Sequence, residues 1–185
     1  MLYDADIRDG LCLFLDEKYG KVRFLEELRL GNSRADMVMV TEAGLVGIEI
    51  KSDADSYARL PRQIRDYDTY CDGSILVIGS THAAHAAEHI PAHWGILVVN
   101  REGSGLDFYE LRQAKHDGGS KLKKQIRKLW RRELAHIQKK NGLYAYKGKR
   151  RSFIEKYILD SIPPEKLKSD LIEELFERDY TVFTK

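Results

Sequence analysis

The chain has 185 residues, of which 43% are hydrophobic and 32% charged, and a net charge of only +2. This length supports a sizeable core plus a small appendage, and the composition excludes a disordered chain. The longest apolar runs, SILVIG and GILVV, fall far short of the ~20 residues of a membrane helix, and acids stand in MLYDADIRDG where a secretory leader is basic and then apolar, so a cytoplasmic protein with no membrane contact is expected.

Residues 4–19 carry Ile7, Leu11, Phe14 and Leu15 at helical spacing, which predicts an opening amphipathic helix. Cys12, within it, and Cys71 are the only cysteines; they lack zinc-site spacing and read as buried free thiols. Residues 24–30 approach a strand. Residues 36–41 and 45–50 are apolar and rich in β-branched residues, and Thr41-Glu-Ala-Gly44 between them reads as a hairpin turn. Ser52 and Asp53 are capping types. The helix that follows is expected to start near Leu60, with Pro61 in its first turn, and to run through Ile64, Tyr67 and Tyr70. Residues 74–79 form a continuous apolar segment suited to a central parallel strand. Residues 81–89 are alanine-rich and helical in pattern, 95–99 form a second buried strand, and 106–111 alternate as an edge strand. This order predicts an α/β fold with a mixed sheet flanked by helices, over residues 1–114.

Residues 115–185 differ in character. Residues 121–140 read as one basic amphipathic helix, followed by helices over 151–160 and 164–178. Between Lys115 and Arg151 there are fourteen lysines and arginines against two acids, which leaves the rest of the chain acidic. Such asymmetry points to a polyanion. Lys123, Lys124, Arg127, Arg131, Lys149, Arg150 and Arg151, with Arg34 upstream, are the candidate nucleic-acid contacts, and Tyr144 and Tyr146 among the cations suit stacking on unpaired bases. DNA is the expected partner, and a homo-oligomer is compatible with the sequence.

The chemistry concentrates in RADMVMVTEAGLVGIEIK, residues 34–51. Acids inside apolar strands are depleted without a reason. Asp36 opens the first hairpin strand and Glu49 closes the second, so the two are neighbours across the ladder. Lys51, two residues past Glu49, projects to the same face. Two carboxylates crowded together repel unless they share a cation, and such hard oxygen ligands suit Mg²⁺ or Mn²⁺.

Ala35-Asp36, then Glu49-Ile50-Lys51, resembles the signature of the PD-(D/E)XK nucleases of the restriction-endonuclease-like fold, with Ala35 at the position where proline often stands. Gln63 and Tyr67, four apart on the next helix, resemble the QxxxY element of RecB-type members, and the stretch from Glu27 to Asp36 resembles phage and prophage branches. The resemblance implies a metal-dependent phosphodiesterase. Asp36, Glu49, the Ile50 carbonyl and Glu27 would ligate Mg²⁺ or Mn²⁺, Lys51 would assist the nucleophile, and Gln63 and Tyr67 would shape the catalytic site. The alternative is a catalytically silent nuclease-fold protein that binds nucleic acid within a repair or phage-related complex. His82, His85, His89 and His93 have spacings of three and four, but Pro91 interrupts the helix and no H-E-x-x-H pattern is present, so these read as solvent-facing or substrate-near side chains rather than a zinc site.

Overall fold

The computed structural model describes residues 4–52, 55–103, 105–116 and 121–180, with side chains from residue 7 onward and not that of residue 82. Asp53, expected as a cap, lies outside the described residues, as does the side chain of His82. The chain divides into two compact units, residues 1–119 and 120–185.

The first unit opens with helix α1 (Asp4–Tyr19). Ile7, Leu11 and Leu15 recur every four residues and are all buried, so one stripe of the helix faces inward. The strands are β1 (Arg23–Glu26), β2 (Arg29–Leu30), β3 (Ser33–Arg34), β4 (Met37–Thr41), β5 (Gly44–Lys51), β6 (Gly73–Gly79), β7 (Gly95–Glu102) and β8 (Gly105–Arg112), with β2 and β3 forming a separate small ribbon. The main sheet runs β1-β4-β5-β6-β7-β8, parallel across β5-β6-β7 and antiparallel on both sides. The expected mixed sheet is therefore present, with β5 and β6 at its centre.

Alternation along the strands assigns the two faces. Ile48 and Ile50 of β5 join Met37, Met39, Ile75, Val77, Leu97 and Val99 in the core packed on α1. Fully burying each such side chain contributes about 1.5–3 kcal/mol. Gly47, Glu49 and Lys51 consequently face the other way, toward helix α2 (Leu60–Tyr70). Helix α2 begins as expected, with Pro61 in its first turn. Acids of the helix and just beyond it tie down neighbouring segments: Asp66 accepts from Ser33 Oγ (2.6 Å), Asp68 from Trp94 Nε1 (2.8 Å) and, past the helix end, Asp72 from Leu45 N (2.8 Å).

Two expected helices come out differently. Residues 81–89 are not one helix: a 3₁₀ turn (Ser80–His82) and the four-residue α3 (Ala86–His89) replace it. Residues 121–140 also break, into α4 (Leu122–Gln125), a 3₁₀ turn (Ile126–Lys128) and α5 (Arg131–Lys140). The second break has a clear cause. Leu129 and Trp130 are extended, and the Trp130 N–H is accepted by Glu133 Oε2 (2.5 Å), which starts a new helix there. Arg178 grips both oxygens of Glu133 at 2.8 Å, and the guanidinium groups of Arg132 and Arg178 lie 4.6 and 4.4 Å from the Trp130 ring centroid. Helices α6 (Arg151–Ser161) and α7 (Pro164–Phe176) complete this unit, whose core includes Ile126, Leu134, Ile137, Ile158 and Leu171.

Candidate active site

The β4-β5 ladder ends with Met37 opposite Ile48. One step further Asp36 comes level with Glu49, and Asp36 Oδ2 accepts the Ile50 N–H at 2.8 Å. Asp36 thus lies just before its strand rather than within it, and the bond to Ile50 orients its carboxylate across the end of the ribbon. Glu49 and Lys51 are 1% and 3% exposed, and Lys51 Nζ donates to Glu49 Oε1 at 2.5 Å. Burying either charge alone would be costly, so each is the condition for the other's presence there.

Helix α2 completes the cluster. Gln63 Nε2 donates to Glu49 Oε1, and Tyr67 OH lies 2.8 Å from Glu49 Oε2 and 3.1 Å from the Ile48 carbonyl. The Tyr67 ring rests on Gly47, where any Cβ would collide with the ring and crowd the Cys71 sulfur. Glycine at position 47 is what lets the phenol come down to Glu49. Burial, reinforced by the Glu49 carboxylate, holds the Tyr67 phenol well above its ordinary value, so it stays a neutral donor. Gln63 is also buried, and its Oε1 has no hydrogen-bond partner among the described residues. An unpaired buried acceptor is costly and calls for a donor such as a water.

Asp36, Glu49, Ile50, Lys51 and Gln63 line a polar cavity of about 370 Å³, with Tyr67 buried behind Glu49. Glu27, Asp36, Glu49 and Asp55 supply its acids, and Arg8, Arg34, Arg59, Arg62 and Lys51 its cations. Burial tends to raise the Asp55 carboxyl, but hydrogen bonds from the Ser52 hydroxyl and N–H, with the charges of Lys51 and Arg59, hold it below the usual value. Glu27 sits in the turn after β1, pairing with Arg34 Nε (2.5 Å) and Arg8 Nη2 (3.3 Å). Its φ of +55° is unusual for a residue with a side chain and marks a strained turn at the pocket rim.

All six residues expected to be catalytic (Glu27, Asp36, Glu49, Lys51, Gln63 and Tyr67) therefore come together here, with Ile50 and Arg34. Sequence reasoning missed Arg8, Arg59 and Arg62. A signal for the last two existed, because Arg59, Arg62 and Gln63 are spaced three and four apart and so share a helix face. Arg8 carried none, since its contacts with Glu27 and the Asp36 carbonyl span nineteen and twenty-eight residues.

The oxygen donors fit a hard cation. Asp36, Glu49 and the Ile50 carbonyl are hard ligands, and a cation's own waters would answer the unpaired Gln63 acceptor. Among the described residues no three His, Cys, Asp or Glu side chains are grouped to hold a metal. The histidines stay apart: His85 pairs with Glu88, His89 stacks on Tyr57 and His93 meets Asp68.

Of the expected nucleic-acid contacts of the second unit, Lys123, Lys124, Arg127, Arg131, Lys149 and Arg150 are exposed. Arg131 also donates to the carbonyls of Lys147 and Lys149, and the half-buried Arg151 to those of Arg127 and Leu129 and to the Glu155 carboxylate.

Among solved structures the chain is similar to the SPO1766 protein of unknown function from Silicibacter pomeroyi, with 20% identity over 65% of this chain and 77% of that one and a TM-score of 0.50. It also matches SfsA of Pyrococcus furiosus, solved in complex with Ca²⁺, with 16% identity over 59% of this chain and 61% of that one and a TM-score of 0.36. No curated protein matches the chain. No helix among the described residues is long and apolar enough to cross a membrane. The family described as bacteriophage P4 protein cII matches residues 4–184, which span both the arginine-rimmed pocket and the helical unit, and the chain belongs to that family.

Proposed function

We propose that the chain is a divalent-metal-dependent nuclease of the PD-(D/E)XK type, hydrolysing phosphodiester bonds of DNA. One observation carries this reading: Asp36, Glu49 and Lys51 meet at the end of one β-ribbon, in a polar cavity rimmed by arginines. Asp36, Glu49 and the Ile50 carbonyl would hold Mg²⁺ or Mn²⁺. The bound cation would acidify a water and offset charge on the phosphate. Lys51 gives one N–H to Glu49, which leaves two to orient a water or to meet a non-bridging phosphate oxygen. Gln63 donates to the same Glu49 oxygen as Lys51 and Tyr67 meets the other, and the unpaired Gln63 Oε1 is an acceptor for a water in the pocket. Arg34, Arg59 and Arg62 at the rim suit flanking phosphates.

A second reading has an observation in its favour. Glu49 already accepts from Lys51, Gln63 and Tyr67, and a carboxylate so well satisfied without metal suits a pocket that grips phosphate but does not cleave it. This corresponds to the silent nuclease-fold protein.

Cleavage of single- and double-stranded DNA with Mg²⁺ or Mn²⁺ separates the two. Asp36→Asn is the cleanest variant, since the amide oxygen can still accept the Ile50 N–H. The nuclease reading predicts metal-dependent cleavage that falls by about 100-fold or more in Asp36→Asn, with the fold retained. Equal cleavage by wild type and variant would mark the activity as a contaminant, and no cleavage by wild type would favour the silent reading.

A further inference from the structure

We propose that the helical unit carries a stacking ledge for unpaired nucleic acid, made of Tyr144, Tyr146 and Phe153 and bordered by Lys147, Lys149 and Arg150. This rests on the nuclease reading for its purpose and narrows the substrate to DNA with a single-stranded segment. The ledge stands on its own geometry.

Residues 141–150 form a loop with no regular secondary structure, yet its backbone is pinned at both ends. The buried Gln138 accepts the Leu143 N–H at 2.8 Å and donates its amide to the Tyr144 carbonyl at 2.7 Å. Arg131 donates to the Lys147 and Lys149 carbonyls, both at 3.0 Å. The arginine that sequence marked as a phosphate contact is thus the clamp that presents other contacts.

The rings are pinned as well. Tyr146 is the hub, meeting Tyr144 (4.7 Å, 68°), Phe153 (5.1 Å, 88°) and Tyr157 (5.3 Å, 82°) edge to face. Such contacts fix ring orientation and cover only part of the ring surface, although Phe153 also lies nearly parallel to Tyr157 (6.4 Å, 15°). Tyr144 is 70% exposed and Phe153 42%, unusual for rings this well ordered by their neighbours. Lys149 Nζ lies 5.4 Å from the Phe153 centroid. Among the described residues no ion pair engages Lys147, Lys149 or Arg150.

Rigid aromatic faces ringed by unpaired cations are complementary to a chain that offers both bases and phosphates. Every base has a π face, so the ledge would be indifferent to sequence. In a duplex those faces are already stacked on one another, leaving the rings nothing to cover.

The test is fluorescence anisotropy of the full chain with a labelled oligothymidine of about 15 nucleotides, an oligouridine and a duplex of equal length, all in EDTA so that no hydrolysis occurs. The single strands should bind more tightly than the duplex. Tyr144→Ala should weaken single-strand binding about tenfold, while Tyr144→Phe, which keeps the ring face, should bind like wild type. Phe153→Ala should resemble Tyr144→Ala. Equal affinity for duplex and single strand, or wild-type binding by Tyr144→Ala, would overturn the ledge. So would Tyr144→Phe binding as poorly as Tyr144→Ala, since a hydroxyl contact would then be responsible. Because binding is read without metal, its loss leaves the cleavage result untouched, and failure of cleavage leaves the ledge standing.

Discussion

Around the pocket of the sheet unit, Arg34, Arg59 and Arg62 stand at the rim with solvent on one side and the carboxylates of the cavity on the other. In the helical unit Arg131, Arg132, Arg151 and Arg178 turn onto backbone carbonyls and onto Glu133 and Glu155. The sequence is far more basic in the second region, yet several of those cations also brace the fold, Arg178 from a buried position. Charge density along a chain therefore does not separate cations that brace the fold from those that only face solvent.

That contrast can be broken by substitution, beginning with the largest expected effect on stability. Arg178→Ala should destabilise by about 3–5 kcal/mol in urea unfolding, because it strands the buried Glu133 carboxylate and uncovers Trp130. If the helical unit is unaffected, the bracing role assigned to its arginines is wrong. Gly47→Ala should cost about 1–3 kcal/mol through overpacking against Tyr67, and it should lower cleavage as well by pushing the phenol off Glu49. Normal cleavage in a folded Gly47→Ala protein would show that the Tyr67 position is not needed. Arg59→Ala and Arg62→Ala, by contrast, should change stability by less than about 0.5 kcal/mol. Each should reduce the slope of log affinity against log salt by about 0.9 on duplex DNA, a change that Arg151→Ala should not produce.

The smallest effect is a pH dependence. Burial works to raise the Asp170 carboxyl, but hydrogen bonds from Lys140 and Asn141 and the charges of Lys140 and Lys166 outweigh it and hold the group below its ordinary value. A carboxylate depressed in the folded state binds fewer protons there than when unfolded. Its contribution is present above the ordinary carboxylate range and is lost as pH falls through the folded-state value. Urea unfolding across the acidic range should show this decline, and Asp170→Asn should flatten it. An unchanged acid profile in the variant would remove Asp170 as the source.

Much of the pocket was legible because it rests on short-range patterns. The alternation of β5 sends Glu49 and Lys51 to one face, the hairpin brings Asp36 alongside, and helical spacing puts Gln63 beside Tyr67. The central strands were readable from their unbroken apolar runs, and the start of α2 from Pro61. What stayed hidden depends on partners distant in sequence. The break at Leu129-Trp130 answers to Arg178, forty-five residues beyond Glu133, and the apolar spacing of residues 122–137 gives no sign of it. Arg8 reaches the pocket from a helix whose pattern reports only its buried stripe. The left-handed turn at Glu27 lacks the glycine or asparagine that would ordinarily announce it.

The central claim is that Asp36 and Glu49 share a hard cation beside Lys51. Anomalous scattering from a crystal soaked in Mn²⁺ tests it most directly. The account predicts one strong peak between the two carboxylates and next to the Ile50 carbonyl, absent from crystals of Asp36→Asn. A cavity without manganese under those conditions, or a peak that persists in the variant, would contradict it.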